Sequence, residues 1–240
     1  MLEGKTVFVS GGTGYIGEAV CEACAGYGAR VFFSYYKNKE KADALMDTIK
    51  GSRGIQINVK DVGDIKAKIA SLFKEIETVD ILVNNAGVSQ VMPLPMLEED
   101  DFDWLVDVNV KGTVFLTRAV LRRMIRRKKG AIVNIGSIAG HRLLDVPVHY
   151  ALTKGAVEGF TCALAVELKR FNIRVNSVVP GLLEGGVARV VPEDGKADYI
   201  DHCAVGRLGT GKEVAEVVCF LASDRAGYVN GQNIVVDGGL

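Results

Sequence analysis

Seven short apolar runs alternate with longer amphipathic stretches along the chain, and this alternation limits the possible folds more than any other feature. The runs are 5–10 (KTVFVS), 30–35 (RVFFSY), 54–59 (GIQINV), 79–84 (VDILVN), 131–136 (AIVNIG), 173–179 (IRVNSVV) and 233–236 (NIVV). They are rich in β-branched and aromatic residues and apolar almost throughout, the pattern of strands buried on both faces. Helical patterns lie between them, from about Glu18 to Tyr27 and near 39–50, 64–77, 98–127, 148–170 and 212–223. Strands that alternate with helices make a parallel sheet with helices on both faces.

The expected architecture is therefore α/β, a Rossmann-type doubly wound sheet of about seven strands. At 240 residues and 48% hydrophobic, the chain can bury one large core, and we expect a single dinucleotide-binding domain over 1–240. Its 29 basic and 29 acidic side chains give no global field to recruit nucleic acid or a membrane surface. No run approaches the 18 to 20 apolar residues of a membrane span, and the first 30 residues read as strand-turn-helix rather than a signal peptide. Five cysteines, odd in number and without a disulfide framework, suit a reducing compartment, so a cytoplasmic location is expected. Cys21 and Cys24 lie one helical turn apart with no second ligand pair, so no metal is expected.

Ligands of doubly wound sheets bind beyond the carboxyl ends of the strands. Gly11, Asn85, Ser137 and Pro180 fall at those ends in this reading. The first run leads into Gly11-Gly12-Thr13-Gly14-Tyr15-Ile16-Gly17 and then a helix. Such a turn places free backbone N–H groups and a helix N-terminus at one point, which suits a pyrophosphate. Glycines also make ordinary turns, and it is the position after the first strand that gives this cluster its meaning.

Tyr150 and Lys154, in His149-Tyr150-Ala151-Leu152-Thr153-Lys154, share a helix face at i and i+4. A free phenol has a pKa of about 10, and a neighbouring cation favours its ionised form. Ser137, thirteen residues earlier, can hold a carbonyl or alcohol oxygen against the same phenol, as proton transfer requires. A surface tyrosine followed by a solvated lysine has the same spacing, so the pair draws its meaning from its company.

Together these motifs resemble the short-chain dehydrogenase/reductase family in its compact branch. The resemblance spans almost the whole chain: the glycine turn, Asp61-Val62, Asn84-Asn85-Ala86-Gly87, Asn109-Val110-Lys111-Gly112, Ser137, Tyr150 with Lys154, Pro180-Gly181, Gly206-Arg207-Leu208-Gly209 and Val236-Asp237-Gly238-Gly239. The closing motifs are most similar to the β-ketoacyl-carrier-protein reductases of fatty acid synthesis. The resemblance implies that Ser137 orients the substrate oxygen, Tyr150 transfers the proton, Lys154 binds the nicotinamide ribose and lowers the tyrosine pKa, and Asn109 holds a relay water. It further implies a cofactor site of Gly11, Gly12, Thr13, Tyr15, Ile16, Gly17, Tyr36, Lys37, Asp61, Val62, Asn85, Ala86, Gly87, Tyr150, Lys154, Pro180, Gly181 and Leu183. In two places the chain departs from the family pattern. Tyr15 stands at the middle glycine of the turn, and the threonine usual after Pro180-Gly181 is missing from Leu182-Leu183-Glu184-Gly185-Gly186. The stretch 182–205 shows little regularity and reads as a mobile loop over the substrate.

An acid at the end of the second strand selects NAD by bonding the ribose 2′-hydroxyl. Here that end reads Ser34-Tyr35-Tyr36-Lys37-Asn38-Lys39, with cations and hydrogen-bonding groups for a 2′-phosphate, so NADP(H) is favoured over NAD(H). The expected activity is NADPH-dependent reduction of a ketone or β-ketoacyl group. The alternatives are a secondary alcohol, sugar or steroid dehydrogenase, or a redox-inactive dinucleotide-binding sensor. The expected substrate is a small-molecule or acyl-thioester carbonyl compound. Arg122-Arg123-Met124-Ile125-Arg126-Arg127-Lys128-Lys129 reads as the solvated, dipole-complementing end of a helix or as a docking patch for an acidic acyl carrier protein. Long alanine- and valine-rich helical faces such as 151–165 would be exposed on a monomer, so a homotetramer is expected.

Overall fold

The computed structural model describes residues 1–142 and 146–240. Its sheet holds β1 (Thr6–Val9), β2 (Arg30–Tyr35), β3 (Arg53–Gln56), β4 (Ile81–Asn84), β5 (Gly130–Ile135), β6 (Ile173–Pro180) and β7 (Asn233–Val236). All neighbours are parallel and the order is β3-β2-β1-β4-β5-β6-β7, so the winding reverses between β1 and β4. The α-helices among the described residues are α1 (Tyr15–Gly26), α2 (Lys39–Thr48), α3 (Val62–Leu72), α4 (Glu99–Leu105), α5 (Gly112–Arg127), α6 (Val148–Glu167), α7 (Glu193–His202) and α8 (Gly211–Ala222).

Strand periodicity divides the core in two. Val7, Val9, Val31, Phe33, Ile81 and Val83 point to one face, where they pack with Val20 and Cys24 of α1, Leu45 of α2 and Val214 and Val218 of α8. Phe8, Phe32, Leu82 and Ile132 point to the other face and meet Ile65 and Ile69 of α3, Leu116, Val120 and Met124 of α5, and Leu164 of α6. Cys21 and Cys24 are among these packing residues, and the Cys24 sulfur lies 3.6 Å from that of Cys219 on α8. A buried polar ladder fixes the register behind the sheet's carboxyl edge. Asn84 Nδ2 donates to Asn134 Oδ1 and to Thr117 Oγ1 at 2.8 Å each, and Asn134 Nδ2 donates to Thr161 Oγ1 at 2.8 Å.

The structure departs from the sequence reading in two elements. The helix expected over 98–127 is α4 and α5 joined by a π-helical segment, Val106–Lys111. The stretch 182–205, expected to lack regularity, contains a 3₁₀ turn (Gly186–Val190) and α7. No residue of α7 is buried, so its sequence carries no apolar stripe to reveal the helix. The ends of the stretch are fastened as well. Glu184 N donates to Gly209 O at 2.9 Å, and Val205 N donates to Gly238 O at 3.0 Å. Among the described residues, no helix is long and apolar enough to cross a membrane.

Candidate active site

At the winding reversal, β1 ends in a turn built for close approach. Gly11 has φ +66°, a conformation that suits glycine, and a Cβ on Gly17 would collide with the Gly11 carbonyl oxygen. Asn85 Nδ2 clamps the turn from above by donating to the carbonyls of Ser10 (2.9 Å) and Gly11 (3.0 Å). Ser10 Oγ returns the contact by accepting from the backbone N–H groups of Asn85 and Ala86, both at 2.9 Å. The N-terminus of α1 follows, with Gly14 at the cap position and no side chain capping it. The first N–H groups of a helix lack partners within it and attract anions. An uncapped helix start above glycines that leave no room for side chains fits a dinucleotide pyrophosphate.

Two strands along, Ser137 follows β5 and Tyr150 and Lys154 project from the first turns of α6. Tyr150 is buried against Leu105 and Ala139, with Val88 alongside. The Lys154 Nζ lies 5.8 Å from the Tyr150 ring centroid and donates to the Ile135 carbonyl at 3.0 Å. Gly87 lies beside that ammonium, with its Cβ position 3.5 Å from Nζ. Burial holds the Tyr150 pKa above its usual 10, and hydrogen bonding from the Ser137 hydroxyl acts in the opposite direction. Burial also lowers Lys154 to about 8. Burial thus outweighs the lowering of the tyrosine pKa that the neighbouring lysine was expected to produce.

Asn109 sits in the π segment, where the register change turns its side chain inward. Its Oδ1 accepts from Val88 N at 2.8 Å, and its Nδ2 donates to Val88 O at 2.9 Å and to Thr153 Oγ1 at 3.0 Å. Thr153 in turn donates to the Tyr150 carbonyl at 2.8 Å. The Asn109 side chain thus ties the loop after β4 to the helix that carries Tyr150. Thr153 and Val88 escaped the sequence reading. A buried threonine between Tyr150 and Lys154 was the available signal for one, and a backbone partner leaves none for the other.

The remaining candidates lie along the same carboxyl edge. Asp61 caps α3 by accepting from Gly63 N (2.7 Å) and Asp64 N (3.1 Å), with Val62 as the first helical residue. Gly181 N donates to Val236 O at 2.9 Å, and the Tyr199 hydroxyl of α7 occupies the space where a Gly181 Cβ would be. Leu183 is buried and bridges Gly209.

A family model described as enoyl-(acyl carrier protein) reductase matches residues 13–240. The 3-oxoacyl-[acyl-carrier-protein] reductase of Thermotoga maritima is 37% identical, with 100% of this chain and 98% of the relative covered. The Escherichia coli enzyme of that name is 34% identical over the same shares. A gluconate 5-dehydrogenase from Burkholderia cenocepacia, solved with NADP and tartrate, superposes with a TM-score of 0.93 at 31% identity, covering 100% of this chain and 96% of its own. The chain belongs to the short-chain dehydrogenase/reductase family. It is an NAD(P)-dependent oxidoreductase acting on CH–OH and C=O groups.

Within this short-chain dehydrogenase/reductase, three expectations change. Ser34 is buried and its Oγ accepts from Gly11 N at 3.1 Å, so it serves the turn rather than a 2′-phosphate. Asn38 Oδ1 caps α2 by accepting from Lys41 N at 2.9 Å, and Lys39 pairs with Asp43 at 2.6 Å. Tyr36 is exposed, and Lys37 lies 5.4 Å over its ring. The basic run ends α5, at the edge of the sheet opposite Ser137. Arg123 donates to the Glu77 and Phe73 carbonyls, and Arg127 pairs with Asp80 at 3.2 Å, so two of its six cations stabilise the fold.

Proposed function

We propose that this chain is an NADPH-dependent reductase of a ketone or β-ketoacyl group, with Ser137, Tyr150 and Lys154 as its catalytic residues. The observation that carries the reading is the buried, protonated phenol of Tyr150 beside Ser137, on the same sheet edge as the uncapped start of α1. A phenol held above pKa 10 is in its acid form at neutral pH, which suits donation to a carbonyl oxygen better than abstraction from an alcohol. The names of the relatives, both reductases, favour reduction over the dehydrogenase alternative.

The bound dinucleotide would supply hydride to the carbonyl carbon. Ser137 holds the carbonyl oxygen, and Tyr150 gives it a proton as charge develops there. Lys154, lowered to about 8, would supply positive charge against the phenolate left behind. Asn109, through Thr153 and Val88, holds α6 against the loop after β4. The segment 182–205 covers the substrate side, with the Tyr199 hydroxyl donating to Asp237 O at 2.8 Å. Gly11, Gly12, Thr13, Tyr15, Ile16 and Gly17 hold the pyrophosphate, Asp61 and Val62 the adenine side, and Pro180, Gly181 and Leu183 the nicotinamide side.

The choice of NADP(H) rests on the cationic, acid-free run Tyr36-Lys37-Asn38-Lys39 after β2, and the Burkholderia neighbour was solved with NADP. NADPH is expected to give a higher kcat/KM than NADH, and Lys37→Ala to narrow the gap through the NADPH KM. The names of the relatives support a β-ketoacyl thioester as substrate. A panel of β-ketoacyl thioesters against secondary alcohols tests the whole reading. Preferred turnover of an alcohol, or of NADH, overturns it. The carrier-protein partner rests on those names and on the exposed Arg122, Arg126, Lys128 and Lys129. That patch lies at the edge of the sheet opposite Ser137, so on one copy it does not adjoin the substrate site.

The proposed assembly is a homotetramer with two-fold symmetry. The outer face of α6 carries Leu152, Gly159, Cys162, Ala163 and Val166, with Glu167 as the charge at its C-terminal end, and Leu152 and Val166 are 53% and 65% exposed. The edge strand β7 is only half-buried and offers a second contact. Light scattering at micromolar concentration should give about four times the 25.8 kDa chain mass. A mass of one chain overturns this assembly.

A further inference from the structure

Tyr15 is the first residue of α1, so its backbone lies at the anion-binding end of the helix while its ring points away from the turn. The ring lies beneath the segment that leaves β6. A Cβ on Gly185 would stand 2.6 Å from Cδ2, 2.7 Å from Cε2 and 2.9 Å from Cγ of that ring. Three adjacent ring atoms at nearly equal distance mean that the ring presents its face to residue 185. Gly186, at φ +70°, continues over the ring, with its Cβ position 3.5 Å from Tyr15 Cβ. On the opposite edge, the Cβ position of Gly211, the first residue of α8, is 3.4 Å from Cε1 and 3.1 Å from the Tyr15 carbonyl oxygen.

Glycines from two separate elements thus make the slot into which one aromatic ring fits. The slot adjoins the bridge between Leu183 and Gly209, which fastens the same segment from its other side. Real Cβ atoms do not tolerate a 2.6 Å approach to a ring, so Tyr15 and Gly185 are mutually dependent. With tyrosine at 15, residue 185 has to be glycine. The two departures from the family pattern noted in the sequence are therefore one exchange of volume between neighbours.

We propose that Tyr15 is a positioning residue that couples the phosphate-binding turn to the segment 185–202 over the substrate, with Gly185 as its obligate counterpart. An anion seated on the first N–H groups of α1 fixes the Tyr15 backbone, and the ring passes that constraint to Gly185 and onward to α7. The inference rests on the dinucleotide reading above.

The test compares amide hydrogen exchange in residues 185–202, with and without NADPH, in the full chain and in Tyr15→Ala and Tyr15→Phe. NADPH should slow exchange there in the unaltered chain and in Tyr15→Phe, and the slowing should be lost in Tyr15→Ala at NADPH concentrations shown by titration to saturate that variant, whatever its affinity. Equal slowing in Tyr15→Ala overturns the coupling alone. No slowing in the unaltered chain, or no NADPH binding by it, overturns the dinucleotide reading as well. Thermal melts without cofactor test the volume exchange independently. Gly185→Ala should lower Tm in the presence of Tyr15 and lower it less, or not at all, in the Tyr15→Ala background. An equal drop in both backgrounds overturns the pairing.

Discussion

Replacing Tyr150 by phenylalanine is expected to lower turnover of the carbonyl substrate by about 10² to 10⁴-fold, the range typical of a lost general acid. The ring would keep its packing against Leu105 and Ala139, so the fold should survive. The phenol oxygen is the only atom removed, and a typical hydrogen bond contributes about 1 kcal/mol net. Cofactor affinity, measured by fluorescence titration, should change little, and the loss should fall on kcat. Turnover within a few fold of the unaltered enzyme would remove Tyr150 from the mechanism.

Adding one methyl group at Gly17 should have the largest effect on cofactor binding. The new Cβ would collide with the Gly11 carbonyl oxygen and stand 2.7 Å from Asn85 Nδ2, the group that clamps that carbonyl. Neither neighbour can retreat without opening the turn, because one is backbone and the other is bonded to two carbonyls. Overpacking of this kind costs about 1–3 kcal/mol, and each kilocalorie lowers Tm by about 2–4 °C in a chain of this size. If the turn yields to relieve the clash, the N–H groups move off the phosphate. A loss of 1.4 kcal/mol there is already about tenfold in affinity. Gly17→Ala should therefore melt several degrees lower without cofactor and bind NADPH more than tenfold more weakly. An unchanged melt together with unchanged binding would show that the turn is not the tight element described.

The sheet was legible because its strands are apolar on both faces, and a run such as Val79 to Val83 has few other fates in water. The Ser137, Tyr150 and Lys154 constellation was legible because helical spacing places i and i+4 on one face. Three other features depend on information that a linear reading lacks. The polar sequence of α7 rests on the protein surface, so packing imposes no period on it. The fates of Ser34 and Asn38 depended on which backbone N–H lay nearest, and both proved to serve the fold instead of a ligand. The pKa directions at Tyr150 and Lys154 depended on how deeply both groups are buried, which an i+4 spacing does not reveal.

The π segment at Val106–Lys111 divides one continuous rod into two halves that answer to different surroundings. Leu105, just before it, packs against Tyr150, whereas Leu116, Val120 and Met124, just after it, pack against the sheet. An uninterrupted α-helix advances 100° per residue, so a single stripe could not satisfy both partners across this junction. The widened turn acts as a phase shifter, and Asn109 is carried inward by the slip. Removing one residue from 106–111 would leave a more regular helix and rotate one half by about 100° against the other. Either the core stripe or the wall behind Tyr150 would then face the wrong way, so local helical regularity and the chemistry at Tyr150 cannot both be optimal in this chain.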